Sequence, residues 1–385
     1  MVRMIKVPTK TIDPRNPKKN MSNEVVTNRS VTYVNNTTPA TITSSELDLS
    51  SCYQEDEIVI EIHAAALNPV DFITHQLCNS YIFGKYPKTY SRDYSGVIVK
   101  VGKNVDNHWK VGDKVNGMYG HLYGERGTLS HYLILNPAKD VPITHMVEVP
   151  KDENDPYDDF TYAAAWPLTF GTAFSVLHDF KKDWNSGSKV LVIGASTSVA
   201  YAFIHIAKNY FNIGTVVGVC SKNSIERNKK LGYDYLVPYD EGTIVDNVGK
   251  LKESELENEK FDMIFDSVGN HDFFPVIDHF LKPKAEDSFY VTIAGNNKYN
   301  YKNITWREFV SLRTILMVLN PFKKYNWRFG KPSPSNNFIE VGNEMIKKGT
   351  YKPPIDSVFE FEKYQDALER IMSNRAKGKV VVRMK

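Results

Sequence analysis

Cysteine is scarce in this sequence of 385 residues, which contains only Cys52, Cys78 and Cys220. Their spacing is not typical of disulfides or of a metal cluster, and such sparse use fits a reducing compartment. Long apolar runs are also lacking. The run Ile315 to Leu319 is far shorter than the roughly 20 residues that span a bilayer, and the N-terminus has no apolar signal segment. We therefore expect a cytoplasmic protein, with a peripheral membrane location as the alternative.

A large excess of charge of either sign is lacking too, because the net charge is only +3. That value is too small to indicate a nucleic-acid partner, and no nucleic-acid-binding motif is present. The first 20 residues are an exception, with six basic side chains against the single acid Asp13. Pro8, Pro14 and Pro17 would break an amphipathic helix there. The sequence predicts a disordered basic arm over residues 1–23, with a transit peptide or a membrane-surface tether as alternatives.

The length and the hydrophobic pattern predict two domains. Apolar residues alternate at Ile58, Ile60 and Ile62, and glycines punctuate runs of valine between residues 96 and 120. This pattern is typical of a small antiparallel barrel. The hydrophobic pattern changes after the acidic, proline-bounded segment 149–160.

Apolar strands alternate with helices in the second region. Strands are predicted at Lys189–Ile193, Thr215–Cys220, Phe261–Asp266 and Phe289–Ala294. Such alternation indicates a doubly wound parallel sheet that is buried on both faces. The C-terminal run reads as strand, helix and strand, and we expect it to complete the first domain.

A short glycine motif follows the first strand of this sheet. The turn Gly194 to Ala200 lies directly between strand and helix, where a dinucleotide pyrophosphate binds to free backbone N–H groups. Thr197 and Ala200 stand where such motifs carry further glycines, and Thr197 would narrow the approach to phosphate. The hydroxyls of Ser196, Thr197 and Ser198 could instead donate to it. The alternative is a fold retained without cofactor.

The end of the second strand predicts the type of cofactor. Sites that prefer NAD place a carboxylate there for the ribose 2′-hydroxyl. This chain has Ser221 and Lys222, with Arg227 further on and no acid before Glu226. A hydroxyl and a lysine suit a 2′-phosphate, so the sequence favours NADPH. The alternative is a solvated loop with a chance lysine.

Eight motifs in one order carry a resemblance that covers nearly the full chain. They are AALNPVDF (65–72), RDYSGVIVKVGKNV (92–105), VGDKVNG (111–117), GTAFSVL (171–177), SKVLVIGASTSVA (188–200), KKLGYDYLVPYD (229–240), FDMIFDSVGN (261–270) and GKVVVR (378–383). With them the sequence resembles the zinc-free quinone oxidoreductase branch of the medium-chain dehydrogenases/reductases. Within that branch it is most similar to the fungal Ast- and Yim-type proteins.

The resemblance implies an α/β protein with a GroES-like β-barrel domain at 24–165 and 312–385 and a Rossmann domain at 166–311. It implies NADPH in the cleft between the domains, and a homodimer. Asn68 would lie near the nicotinamide ribose, Thr172 beside the nicotinamide amide, and Tyr239 near the adenine-ribose phosphate. The complete set of expected cofactor-binding residues is Thr172, Gly194, Ser196, Thr197, Ser198, Val199, Ser221, Lys222, Tyr239, Val268 and Gly295.

Zinc is not expected, because zinc-dependent relatives carry a cysteine in the Asn68 segment and Gly-His-Glu where this chain has Arg92, Asp93 and Tyr94. Without a Lewis acid, hydride transfer to a quinone or a conjugated carbonyl remains open. The expected catalytic residues are Asn68, Asp71 and Tyr81. A purely structural role is the alternative for Asp71. Ile73 stands where related reductases carry a tyrosine, which weakens the case for quinone turnover.

A basic and aromatic segment at 298–331 supports a competing function. It holds eight basic residues against the single acid Glu308, interleaved with aromatics that include Trp306, Phe322, Tyr325, Trp327 and Phe329. Such side chains suit an anionic membrane surface or a protein partner. The resemblance to Ast-type proteins implies a scaffold that delivers the plasma-membrane proton pump. The simpler interpretation is a linker helix and subunit contact.

Overall fold

The computed structural model describes residues 24–180, 182–295, 304, 324–332, 335 and 337–384. Its strands are β1 (Val25–Tyr33), β2 (Thr41–Asp48), β3 (Ile58–Leu67), β4 (Lys88–Thr89), β5 (Asp93–Val101), β6 (Lys114–Met118), β7 (Tyr132–Leu135), β8 (Ile143–His145), β9 (Lys189–Ile193), β10 (Thr215–Cys220), β11 (Tyr235–Pro238), β12 (Met263–Asp266), β13 (Phe289–Thr292), β14 (Asn326–Phe329), β15 (Ile355–Glu360) and β16 (Lys379–Arg383). Its α-helices are α1 (Pro69–Leu77), α2 (Ser80–Phe83), α3 (Asp159–Ala164), α4 (Pro167–His178), α5 (Ser198–Asn209), α6 (Ile225–Lys229), α7 (Ile244–Glu255), α8 (Ile277–Phe280), α9 (Asn337–Lys347) and α10 (Tyr364–Met372).

The first domain is built around β3, which pairs with β5, β7 and β16. Seven strands form its main sheet, in the order β15-β16-β3-β5-β6-β8 with β7 on β3, and β1, β2 and β4 form a second sheet. The alternating residues Ile58, Ile60 and Ile62 all point into one buried cluster, as the period of two requires. The predicted GroES-like β-barrel domain is confirmed, and strands β15 and β16 of the C-terminal run join its main sheet.

The second domain contains a parallel sheet in the order β11-β10-β9-β12-β13-β14. Its central strand β9 shows why both faces are apolar. Val190 and Val192 lie in the core beneath α4, α5 and α9, whereas Leu191 and Ile193 lie in the core on the opposite face, beneath α7 and α8. The predicted doubly wound sheet is confirmed, because helices cover both of its faces.

The second domain extends beyond the boundary at 311 that the sequence led us to expect. Strand β14 pairs in parallel with β13 and forms the edge of the six-stranded sheet. Helix α9 contributes Phe338 and Ile346 to the same core as Val192 and Phe203. Among the described residues of the expected return segment 312–385, those of β15, α10 and β16 belong to the barrel domain. None of the described helices is long and apolar enough to cross a membrane.

Helices α4 and α9 approach each other closely, through glycine on both. A Cβ atom on Gly342 would lie 2.4 Å from the Trp166 ring, and one on Gly171 would lie 2.6 Å from the Phe338 ring. Each glycine therefore accommodates an aromatic ring of the opposite segment. This contact fixes α4, whose first turn reaches the site described next.

Candidate active site

The turn between β9 and α5 requires glycine at its first position. Gly194 has a φ of +88°, which L side chains rarely adopt. A Cβ there would also lie 2.5 Å from Ser267 Oγ and from Val268 Cγ1. The sequence-predicted residues Gly194 and Val268 are thus in contact, at the edge where parallel strands end and ligands bind in such folds.

Thr197 caps helix α5. Its hydroxyl accepts a hydrogen bond from the Ala200 N–H at 3.1 Å and lies 3.0 Å from Ser267 Oγ. The side chain is therefore used within the turn, as N-cap threonines commonly are. Within the described part of the chain, the backbone N–H groups of Ser198 and Val199 have no acceptor. These two donors at a helix N-terminus fit a pyrophosphate.

Ser196 is held from the side by helix α6. The buried Asn228 donates from Nδ2 to Ser196 Oγ at 2.8 Å, and Arg227 Nη2 lies 3.4 Å from the Ser196 carbonyl. The turn therefore has a guanidinium beside its free N–H groups, and both carry positive charge toward an anion. Arg227 was noticeable in the sequence as a cation after β10, but no pattern indicated Asn228.

The predicted adenine-ribose residues lie together beside the end of β10. Tyr239 is half-exposed, its N–H donates to the Cys220 carbonyl at 2.9 Å, and Ser221 Oγ lies 2.9 Å from Ser224 Oγ. Lys222 forms an ion pair with Glu241. Its backbone N–H donates to Asp240 Oδ1 at 2.9 Å. Sequence reasoning missed both acids, since they follow the neighbouring strand β11.

Asp266 organises the loop after β12. Its carboxylate accepts hydrogen bonds from the N–H groups of Val268, Gly269 and Asn270, at 2.7 to 3.0 Å. Burial raises the pKa of Asp266 to about 6, although these donors oppose the shift. On the adjacent strand, Thr292 Oγ1 donates to the carbonyl of Gly295 at 2.9 Å. The predicted residues Val268 and Gly295 thus belong to two neighbouring, tightly hydrogen-bonded loops.

A buried polar cluster surrounds Asn68 at the start of α1. Asn68 Nδ2 donates to Asp93 Oδ2 at 2.9 Å, and Lys379 Nζ donates to Asn68 Oδ1 at 2.5 Å and to Asp93 Oδ2 at 2.8 Å. All three residues are buried. Because a buried charge is costly unless it is paired, this cluster holds the Asn68 amide in one orientation.

Asp93 extends this cluster into the second domain. Its Oδ1 accepts the N–H of Leu168 at 2.8 Å, in the first turn of α4. One turn later, Thr172 donates from Oγ1 to the Leu168 carbonyl at 2.7 Å. One carboxylate therefore connects the predicted residues Asn68 and Thr172. The sequence analysis did not identify Asp93 and Lys379 as site residues. The feature that could have indicated them is a charged residue at the start of an otherwise largely apolar strand, β5 for Asp93 and β16 for Lys379.

Asp71 lies one turn into α1. Its Oδ2 accepts the Asn68 N–H at 2.7 Å. The other oxygen, Oδ1, is buried without a hydrogen-bond partner among the residues that the structure describes. Burial raises the pKa of Asp71 to about 6, although the positive charge of Arg92 opposes the shift. Asp71 fixes the start of the helix that carries the Asn68 amide.

Helix α1 packs directly against the end of β13. Phe72 and Leu77 form a buried cluster with Ala294 and Ile304, and Ile73 packs against it. Ala294 immediately precedes the predicted cofactor residue Gly295. The hydrogen-bonded Asn68 segment, the Gly295 loop and the first turn of α4 are thus connected at the junction of the two domains, where a cofactor cleft was expected.

Comparisons with known proteins agree with this architecture. The family model for an alcohol dehydrogenase GroES-like domain matches residues 54–145, and that for a zinc-binding dehydrogenase matches residues 231–382. Protein YIM1 of Saccharomyces cerevisiae is 85% identical over 365 residues, which are 95% of this chain and 100% of the yeast protein. The chain belongs to the medium-chain dehydrogenase/reductase superfamily of oxidoreductases. It is a Yim-type member, and the superfamily fold implies a nicotinamide cofactor.

Solved structures of more distant superfamily members share the fold. The quinone oxidoreductase from Coxiella burnetii matches with a TM-score of 0.71 at 19% identity, over 94% of this chain and 100% of that protein. The human synaptic vesicle membrane protein VAT-1 homolog-like protein matches with a TM-score of 0.63 at 19% identity, over 93% and 98%. At these identities the likeness concerns the fold alone.

One expected catalytic residue, Tyr81, lies away from this junction. Tyr81, on the short helix α2, is 94% exposed, and its backbone N–H donates to Asn79 Oδ1. The structure does not bring its hydroxyl to Asn68.

The basic and aromatic segment 298–331 lies mostly outside the described residues. The structure describes residue 304 and residues 324–331 of it. In that part, Trp327 is only 7% exposed and lies in the core of the second domain, so its expected place on a surface was wrong. Lys324 pairs with Asp278 at 2.6 Å, and Phe329 is exposed. The trafficking function, the membrane contact and the dimer stay predictions.

Proposed function

We propose that this chain is an NADPH-dependent, zinc-independent reductase that transfers hydride to a quinone or a conjugated carbonyl. The observation that carries the proposal is the convergence of three features. A glycine turn leaves two N–H donors at the start of α5, the loops after β12 and β13 follow the same sheet edge, and a rigid polar cluster around Asn68 lies at the junction. Such a junction excludes water and positions two reactants together.

Each group of side chains has a separate task in this proposal. The N–H groups of Ser198 and Val199 bind the pyrophosphate, and Lys222 binds the 2′-phosphate. Asn68 and Thr172 orient the nicotinamide. Asp93 holds both in place, because it accepts hydrogen bonds from the Asn68 amide and from the N–H of Leu168, whose carbonyl accepts the Thr172 hydroxyl. The cofactor, when bound, supplies the hydride. The developing oxyanion of the substrate then needs one hydrogen-bond donor, which the Asn68 side chain does not supply in this arrangement, because its amide donates to Asp93 Oδ2 and to the Ala66 carbonyl.

The donor set supports chemistry without zinc. Asn68 and Arg92 occupy the segments in which zinc-dependent relatives carry ligands, and a guanidinium has no lone pair to offer a metal. Arg92 instead donates to the backbone carbonyls of Thr89 and Ser91. Within the described residues, no three His, Cys, Asp or Glu side chains are grouped to hold a metal ion. A substrate that is itself an electron sink suits this site.

A cofactor titration tests the proposal. Purified protein is titrated with NADPH and with NADH, following the quenching of its five tryptophans or the heat of binding. We expect micromolar binding of NADPH that weakens for NADH and for Lys222→Ala. Lys103→Ala is the matched control, since Lys103 is an exposed lysine that pairs with Glu55 in the barrel domain. Binding of neither cofactor would overturn the proposal; binding of NADPH leads to a screen of quinones and enones.

A further inference from the structure

Two carboxylates lie where the sequence predicted only a cation. Asp240 and Glu241 follow β11, which runs parallel to β10, so both strands end at the same edge of the sheet. Asp240 Oδ1 accepts the backbone N–H of Lys222, and Glu241 pairs with the Lys222 ammonium. The ion pair therefore occupies the Lys222 ammonium, which the sequence predicted to bind a 2′-phosphate.

The geometry of the pair allows its partners to exchange. The Lys222 side chain is 63% exposed and the Glu241 side chain is 47% exposed, and exposed ion pairs contribute little free energy. The backbone of Glu241 is fixed, because Asn247 of helix α7 donates from Nδ2 to its carbonyl at 2.6 Å. The backbone of Glu241 is thus held near Lys222 by a contact that does not involve Lys222, and the negative charge of Glu241 opposes a phosphate there.

We propose that Glu241 weakens the preference of this chain for NADPH by competing with the 2′-phosphate for Lys222. The inference rests on the proposed function, because it concerns the same cofactor site. Glu241 lowers the affinity for NADPH and leaves the affinity for NADH unchanged, since the ribose 2′-hydroxyl of NADH carries no charge. Asp240 remains hydrogen-bonded to the Lys222 backbone N–H in either case, because that contact does not involve the Lys222 ammonium.

Binding of cofactor fragments tests this competition without any catalytic readout. The probes are 2′,5′-ADP and 5′-AMP, which differ in the 2′-phosphate and lack the nicotinamide, and their affinities are measured by calorimetry. We expect Glu241→Gln to bind 2′,5′-ADP about two- to fivefold more tightly than wild type, the range that an exposed ion pair supplies. Binding of 5′-AMP is expected to stay constant, and the gain to shrink at about 0.5 M salt.

The matched control is Glu55→Gln, which removes the same charge from the exposed Glu55–Lys103 pair of the barrel domain. It is expected to change neither affinity. If wild type and Glu241→Gln bind 2′,5′-ADP equally while wild type binds NADPH, the competition is refuted and the proposed function stands. If wild type binds neither the fragments nor NADPH, both proposals fail. A Glu241→Gln gain that is equal for the two fragments also refutes the competition.

Discussion

Buried carboxylates dominate the chemistry of this site at the level of single residues. Asp71, Asp93 and Asp266 are almost inaccessible to water. Asp93 is neutralised by Lys379 at 2.8 Å, whereas Asp266 depends on backbone N–H donors. Asp71 has one satisfied oxygen and one without a partner among the described residues. These environments explain why burial raises the pKa of Asp71 and of Asp266 to about 6.

The raised pKa of Asp71 predicts a stability change with pH. The folded chain keeps the Asp71 proton up to about pH 6, whereas the unfolded chain loses it near its ordinary value of 3.8. The contribution of Asp71 to stability is therefore present below that ordinary value and is lost as pH rises through about 6. Relative to Asp71→Asn, wild type should lose about 3 kcal/mol of unfolding free energy across this window. Denaturant unfolding from pH 4 to 8 measures the difference.

Asp48→Asn provides a control of opposite sign. The Ser50 hydroxyl donates to Asp48 and holds the pKa of that carboxyl below its ordinary value. Relative to Asp48→Asn, wild type should therefore lose stability only as the pH falls through and below the ordinary value of 3.8, and it should show no loss as the pH rises from 4 to 8. Asp266 is the same in all three chains, so its own titration cancels. A difference between wild type and Asp71→Asn that is constant from pH 4 to 8 would contradict the prediction.

Single residues of the candidate site could be predicted from the sequence only where they directly follow a predicted strand. Gly194, Ser198 and Lys222 follow strands whose ends the apolar pattern marks, so their place in the site was predictable. Glu241 was not, because it reaches Lys222 from a different strand 19 residues further along the chain. Such a contact depends on the order of strands in the sheet, which periodicity does not contain.

At the level of elements, the packing of α9 on α4 shapes the second domain. Gly342 of α9 lies under the Trp166 ring at the start of α4, and Gly171 of α4 lies under the Phe338 ring. Asp93 binds the first turn of the same helix α4. The position of the predicted nicotinamide residue Thr172 thus depends on a close helix contact on one side and a hydrogen bond on the other.

Two helical glycines should respond in opposite ways to alanine. Gly342→Ala places a Cβ 2.4 Å from the Trp166 ring, and overpacking of this kind costs about 1–3 kcal/mol. Gly249→Ala, in helix α7, places its Cβ 3.8 Å from the Phe280 ring, an ordinary contact. It should stabilise the protein by about 0.5–1 kcal/mol, because alanine favours the helix. Thermal unfolding of both variants checks this, and a stabilising Gly342→Ala would contradict the described contact.

The prediction of elements succeeded where the apolar pattern was periodic and failed at one boundary. Strands β9, β10, β12 and β13 follow from apolar runs with clear ends. Strand β14 was missed because its sequence Asn326–Phe329 is polar and aromatic, which suggested a surface. At the edge of the sheet, only Trp327 of this strand is fully buried, so its sequence carries little of the apolar signal that marks the central strands.

At the level of the whole molecule, the chain leaves the barrel domain, builds the parallel sheet and returns. Strand β16 pairs with β3 and places Val380 and Val382 in the barrel core. The Lys379–Asp93 ion pair joins residues that are 286 positions apart. The barrel domain, the Asn68 orientation and the first turn of α4 therefore all depend on the last strand of the chain.

Removal of the Lys379 charge should destabilise the protein strongly. The side chains of the pair are 2% and 0% exposed, and loss of one partner from a buried pair costs about 3–5 kcal/mol. We expect this cost for Lys379→Met, measured by denaturant unfolding. The control Arg383→Met removes a cation from the same strand, where the pair with Glu360 is 42% and 50% exposed, and should cost less than about 1 kcal/mol.

A second substitution separates charge from packing in this test. Asp93→Asn combined with Lys379→Met removes both charges, and part of the lost unfolding free energy should return, since no unpaired charge stays buried. Two results would show that the pair contributes nothing. One is an equal loss of unfolding free energy for Lys379→Met and Arg383→Met. The other is a double variant that is less stable than Lys379→Met by the full cost of Asp93→Asn alone.

The distance along the chain between Asp93 and Lys379 also determines how long Asp93 is without its ion-pair partner during translation. At about 5–20 residues per second, translation of the intervening 286 residues takes between about a quarter of a minute and a minute. During that interval Asp93 has been made but its counter-ion has not, and strand β3 lacks its neighbour along Ala64–Leu67. Until β16 has been made, the newly made barrel segment exposes an open sheet edge along Ala64–Leu67, and such edges are sites at which chains aggregate.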